Sequence, residues 1–214
     1  MNNRTENQEM GHKEDRRVAR TRRALREALL ALIQEKGYAA VTVEEITARA
    51  NLGRATFYLH YKDKEDLLLE QFGELANERA RQLSEVPLAA WQPGATPPLL
   101  PLLSIFEHAA ENVELYRIVL CGEGHFRVAD RLRSIIAVAI SEVIQAITIH
   151  EAPDLRLQIP VELLASYFAG ALLGSITWWL EQESAQRPTP HEMALTFQTM
   201  FIPGVRELVG NEAD

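Results

Sequence analysis

Between Arg54 and Lys64 the chain sets a guanidinium (Arg54), two hydroxyls (Thr56, Tyr58), an imidazole (His60) and an ammonium (Lys64) in one stretch, RATFYLHYKDK. Each of these groups donates hydrogen bonds, and such donors suit phosphate oxygens and the acceptor edges of nucleobases. Ala55 adds a small apolar contact of the size that meets a thymine methyl. Phe57 and Tyr61 are separated by one helical turn and share a side, so Arg54, Ala55, Thr56, Tyr58 and His60 are left largely free for other partners. A helix built only for a core is rarely arranged so.

The elements that must hold this stretch can be read on either side of it. Thr42 has the hydroxyl of a helix cap, and Glu45, three residues on, is placed to reach back to the exposed backbone donors as in a capping box. Val43, Ile46 and Ala50 then share one face while Glu44, Glu45 and Arg49 lie outside it, which predicts a short one-sided helix. Asn51-Leu52-Gly53 breaks that helix, because Asn and Gly tolerate a left-handed backbone, and Leu52 supplies an apolar plug at the bend. A second short helix begins near Arg54. Two short helices across a tight turn, the second rich in donors, form a helix-turn-helix.

Residues Thr42 to Asp66 resemble the TetR/AcrR family of one-component transcriptional regulators. The resemblance rests on Thr42, on the turn Ala50-Asn51, on Thr56-Phe57-Tyr58-Leu59-His60-Tyr61 and on Lys64-Glu65-Asp66-Leu67. Four positions depart from the usual pattern: Thr47 replaces an Ala, Asn51 a turn Gly, Gly53 a capping Ser and Ala55 a common Gly. The resemblance implies an all-α chain of about nine helices, with Arg54, Ala55 and His60 reading bases. Thr42, Thr56, Tyr58 and Lys64 are then the phosphate binders, and losing the Ser cap removes one phosphate contact.

Charge is distributed to match. The chain carries a net charge of -8, yet residues 1–64 hold 13 Lys+Arg against 9 Asp+Glu, a net of +4, leaving 9 against 21, or -12, for residues 65–214. The run from Lys13 to Arg26 (KEDRRVARTRRALR) concentrates seven cations. Alone it reads as a solvated helix face; immediately before a helix-turn-helix it reads as a phosphate-facing one. Residues 1–14 lack apolar periodicity and are expected as a disordered arm. Val18, Leu25, Leu29, Leu32 and Ile33 predict a helix over 15–36 that stops at Gly37, so that 15–63 forms the DNA-binding domain.

Residues 64–210 are expected as a second, helical domain. Its first helix, Lys64 to Leu83, turns Leu67, Leu68, Phe72 and Leu75 inward and joins the two domains. A Pro/Gly loop over 87–98 follows, then helices over 99–111, 113–120 and 125–150, a break over 151–160, and helices over 161–183 and 190–209. The last opens with Thr189, Pro190 and Glu192 as a capping box. FEHAAENVELYRIVL, the stretch from Ile159 to Gln182 and the stretch from Pro188 to Val205 are similar to a ligand-binding domain found in one branch of the same family.

Residues 163–180 carry no charge, so a membrane span is the alternative function, that of a membrane-associated helical protein. A buried dimer helix makes the same pattern, and only acidic residues (Glu162, Glu181, Glu183) flank the run. Ser166, Gly170 and Gly174 recur every four residues and are the candidate homodimer interface. Tyr167 and Trp178 (or Trp179), with Phe106, Tyr116 and Phe126, are the candidate lining of an effector cavity, although a plain core uses the same residues. His108, Arg117 and His125 are the polar groups placed to orient an effector.

Cys121-Gly-Glu-Gly-His125 raises the question of a Cys-His nucleophile or half a zinc site. No third orienting group or second cluster accompanies it, so neither catalysis nor a metal or cofactor is expected. A single cysteine and a polar start point to the reducing cytoplasm. The expected partners are therefore an operator duplex, a small-molecule effector and a second copy of the chain, with no membrane.

Overall fold

The structure, a computed structural model, describes residues 3–87, 98–121, 125–150 and 156–210. Its elements are α1 (Asn3–Lys36), α2 (Val43–Arg49), α3 (Arg54–Tyr58), α4 (Lys64–Ser84), α5 (Leu100–Glu111), α6 (Val113–Leu120), α7 (His125–His150), β1 (Arg156–Leu157), α8 (Val161–Glu181), α9 (Pro190–Glu207) and β2 (Val209–Gly210). The fold is all-α, as expected. Its one non-helical pairing among the described residues is the antiparallel ladder Arg156 to Gly210 and Leu157 to Val209, which replaces part of the expected break and the end of the last helix.

Local capping explains several boundaries. Gly37 takes a φ of 78° and donates its N–H to Ile33 O at 2.8 Å, ending α1 where a side chain would be strained. The expected arm over 1–14 is instead helical from Asn3 onward. It contains no Pro, and Glu, Gln and Lys propagate a helix already nucleated by the packed turns that follow. At α9 the Thr189 hydroxyl accepts from Glu192 N (3.2 Å) while Glu192 Oε2 accepts from Thr189 N (2.7 Å), the reciprocal pattern predicted there.

Two compact units divide the chain at Met1–Glu70 and Gln71–Asp214, not at residue 63 as the end of the motif suggested. In the first, Leu25, Leu29, Val41, Ile46, Phe57 and Leu67 are buried, so the opening turns of α4 belong to the core of the helix-turn-helix unit. In the second, α8 buries Leu164, Ala165, Phe168, Ala169, Leu172, Ile176 and Trp179. Trp179 stacks edge-on with Phe106 at 5.6 Å and donates its indole N–H to Pro188 O at 2.7 Å. Half of the apolar window in this helix is buried, so the structure uses as a core helix the segment whose length and composition also suit a span.

Candidate nucleic-acid interface and inner cavity

The helix-turn-helix is assembled by short-range bonds. Thr42 Oγ1 accepts from Glu45 N (3.3 Å) and donates to Glu45 Oε2 (2.7 Å), while Thr42 N donates to the same oxygen (3.0 Å). Lys36 bonds the other oxygen of Glu45. Together these bonds, that of Lys36 first, pull the Glu45 carboxyl down to about 2. Thr47, where an Ala is usual, is buried with its hydroxyl on Glu44 O at 2.9 Å, so the substitution leaves no orphan donor. At the turn Asn51 takes the left-handed conformation, with φ 53°, whereas Gly53 is an extended N-cap with φ -79° and no side chain to cap α3. The left-handed residue is thus the Asn, and the Gly occupies a conformation open to any L-residue.

The inward face of α3 is fixed firmly. Phe57 is fully buried and meets the Tyr61 ring at 5.6 Å. Tyr61 Oη donates to Glu70 Oε2 at 2.8 Å, and Arg26 and Arg22 pair with Glu70 at 2.9 and 3.3 Å. Burial and the neighbouring carboxylate push the Tyr61 phenol upward, so it remains a donor. Three elements are therefore tied at Glu70, with α1 supplying two arginines.

The outward face is open. Arg54 and Ala55 are exposed, Tyr58 is 57% exposed and Leu59 80% exposed, while Thr56 and His60 are half-buried at its margin. Arg54 Nη2 lies 3.3 Å from the exposed Glu44 Oε2, a pair too wet to hold the guanidinium away from a better acceptor. Leu59 was not among the expected site residues. Its signal was available, since Arg54, Ala55, Tyr58 and Leu59 stand at i, i+1, i+4 and i+5 opposite Phe57, and a large apolar group there has no core to fill.

Two expected phosphate binders are used otherwise. The Lys64 ammonium donates to Val41 O (2.8 Å), Tyr38 O (3.0 Å) and Ala39 O (3.4 Å) and lies 4.5 Å from the centre of the Tyr38 ring. Three protons meet three carbonyls, so Lys64 fastens the loop between α1 and α2 with no N–H left for a phosphate. The Thr42 hydroxyl proton is likewise directed at Glu45. Of the cationic run, Arg22 and Arg26 serve Glu70 and Arg23 bonds Glu27 at 2.8 Å, while Arg16, Arg17 and Arg20 stand exposed.

In the second unit, α4, α5, α6, α7 and α8 line a cavity of about 50 Å³. Of the five aromatic residues expected to line a cavity, Tyr116 does. Phe106 is core packing against Trp179, and the side chain of Phe126 lies outside the described residues, as does that of His125. Tyr167 and Trp178 point outward, 64% and 52% exposed, because neighbouring positions on a helix face directions about 100° apart and Trp179 takes the inward one. They share a stripe with Leu163, Gly170 and Gly174, all exposed, beside the half-buried Ser166. The supposed ligand flank and dimer flank are therefore one outer face. Cys121 is an exposed free thiol at the end of α6, raised above its usual range by partial burial and by Glu181, which is the reverse of an activated nucleophile.

A donor-rich face on the second helix of a helix-turn-helix marks a DNA-binding regulator. Residues 25–70 match the bacterial regulatory proteins of the tetR family, and residues 99–202 match a transcriptional regulator C-terminal region of that family. The chain belongs to the TetR family of transcriptional regulators. It is 54% identical over 55 residues to the uncharacterised HTH-type transcriptional regulator YxbF of Bacillus subtilis strain 168, a match spanning 25% of this chain and 14% of that relative's length. A TetR transcriptional regulator from Streptococcus agalactiae 2603V is similar in structure with a TM-score of 0.56 at 24% identity, over 89% of this chain and 98% of that one. Thermus thermophilus FadR, a TetR-family repressor solved in complex with lauroyl-CoA, is similar with a TM-score of 0.54 at 21% identity, over 90% and 97%. At these identities the likeness concerns the fold.

Proposed function

We propose that this chain is a ligand-responsive, sequence-specific regulator that works in the cytoplasm as a homodimer and represses until a small molecule releases it from its operator. The carrying observation is the outward face of α3 and the turn that follows it, where Arg54, Ala55, Tyr58 and Leu59 are exposed over a rigid inner side of Phe57 and Tyr61. Arg54 reads a guanine edge, His60 a second base, and Ala55 with Leu59 meets thymine methyls. Thr56 and Tyr58 hold phosphates, with Arg16, Arg17 and Arg20 adding counterion-releasing contacts.

The apolar stripe Leu163, Tyr167, Gly170, Gly174 and Trp178 supports the dimer, since two-fold pairing along it covers exposed aromatic area and lets backbones approach at the glycines. Two copies then present two readers to half-sites one duplex turn apart, about 34 to 36 Å. An effector in the inner cavity that favours a different separation lowers operator affinity by its own differential binding. The lauroyl-CoA complex of the Thermus thermophilus repressor supports a small-molecule effector of some kind.

Selection of bound duplexes from a random pool tests this reading. A two-fold symmetric consensus is expected, and Arg54→Ala should cost about 1 to 3 kcal/mol on it while relaxing preference at one base position. Equal loss on cognate and scrambled duplexes would remove Arg54 from the readers.

A further inference from the structure

The inner cavity is lined by apolar side chains such as Leu75, Ile105, Leu132 and Ile140, with one charged exception among the described lining residues, Arg79. Its Nη1 donates to the neutral Gln82 Oε1 at 2.9 Å, and its Nε is buried with no hydrogen-bond partner. With Nη1 engaged, the edge left over is that of Nε and Nη2, where two parallel N–H bonds point the same way. No carboxylate is among the described residues that line the cavity. The carboxylate whose charge Arg79 feels, Glu78, is exposed and hydrogen-bonded to Arg81, so the half-buried guanidinium is only partly compensated and a bidentate oxyanion is its natural complement.

The nearby polar groups do not supply that charge. The Tyr116 hydroxyl, itself buried, hydrogen-bonds His108 Nδ1 at 3.0 Å. Burial holds His108 below its usual range, outweighing the upward pull of Glu111, and the positive charge of Arg79 pushes the same way as burial, so the imidazole adds no charge to pair with Arg79. The described lining residues thus present one cation, one tyrosine and otherwise hydrocarbon. Its size is also informative: about 50 Å³ corresponds, at roughly 10–15 Å³ per water, to about three to five waters, the bulk of a single ring or a chain of about six carbons.

We infer that the C-terminal unit binds a small monocarboxylate, its apolar body in the cavity and its carboxylate on the Nε/Nη2 edge of Arg79. This rests on the effector-binding reading above and narrows it to a chemical class. A long acyl chain exceeds the room between these helices, and a neutral alcohol of equal length leaves the Nε/Nη2 edge of Arg79 without a charged acceptor.

Calorimetric titration of the full-length protein tests this with hexanoate, hexanol and dodecanoate as probes. Hexanoate should bind once per chain, at least tenfold tighter than either of the other two. Arg79→Gln should lose at least tenfold for hexanoate and nothing for hexanol while keeping the helical circular dichroism of the parent. Arg79→Lys, which keeps the charge without the paired edge, should fall between. Hexanol binding as tightly as hexanoate, undiminished hexanoate binding by Arg79→Gln, or no hexanoate binding at all would each overturn the assignment. The two readings separate on DNA: hexanoate that binds through Arg79 yet leaves operator occupancy unchanged upholds the anion site and removes the effector role. A compound that releases operator from the parent and from Arg79→Gln alike upholds an effector role and removes Arg79 from it.

Discussion

Replacing Lys64 with Met separates two roles that a lysine at the start of α4 could fill. The substitution keeps the apolar stem and removes the ammonium from Val41 O and Tyr38 O, both part-buried bonds, and from the longer, exposed bond to Ala39 O. Hydrogen bonds to charged groups contribute about 1.5–3 kcal/mol each, and partial exposure reduces the two better ones to about 1 kcal/mol apiece. The contact over the Tyr38 ring adds about 0.5–1 kcal/mol. A loss of about 2–3 kcal/mol follows, which at roughly 1–3 kcal/mol per molar urea lowers the midpoint by about 1–2 M. Amide exchange in residues 37–42 should rise with it. The salt dependence of DNA binding, corrected for folded fraction, should not change, because no phosphate is lost. An unmoved urea midpoint together with a salt slope flatter by about one per subunit would show that Lys64 holds a phosphate and that the carbonyl clamp is not its role.

Three further outcomes follow from the same unit. Gly53→Ser should stabilise the protein by about 0.5–1 kcal/mol, since φ -79° suits any residue, the nearest atom to a new Cβ is Thr56 Oγ1 at 4.0 Å, and the hydroxyl caps α3; thermal unfolding checks it. The Glu45 carboxyl, pulled below its ordinary 4.5 to about 2, contributes stability that is full above pH 4.5 and lost as pH falls toward 2, so parent and Glu45→Gln should differ in urea midpoint at pH 6 and converge by pH 2.5. Glu44→Gln removes an exposed negative charge beside the duplex while the Arg54 pair it breaks is too wet to matter, so operator affinity should rise a few-fold, by a similar factor in the Arg54→Ala background, and the gain should shrink with added salt when both are measured by fluorescence anisotropy.

What could be read from sequence was what is decided within a few residues. The boxes Thr42/Glu45 and Thr189/Glu192 and the Gly37 stop are local bonds, each closed within one turn, and all three stand where their residue types put them. The carbonyl bonds of Lys64 were not legible because its acceptors lie 23 to 26 residues earlier, in a loop whose carbonyl directions no side-chain pattern records. The division inside α4 was hidden for a related reason: apolar spacing continues through Glu70, and only the partners of Leu67 on one side and Phe72 on the other differ. On α8 the uncharged run offers no polar face to set the rotational phase, so Tyr167 and Trp178 were assigned inward and Ser166, Gly170 and Gly174 outward when most of them share one exposed stripe. Arg79 escaped notice because a single arginine on a charged helix looks like surface until its surroundings are known.

The adjacent indoles of α8 make the protein its own spectroscopic reporter. Trp179 is sealed in the core with its N–H on a carbonyl, while Trp178, one residue earlier, is half in water on the outer stripe. Their emission therefore comes from two environments at one point in the chain, a blue component that follows unfolding and a red one that follows whatever covers that stripe. With Trp178 changed to Phe the second signal can be subtracted, and fluorescence on dilution becomes a direct reading of self-association without any attached label.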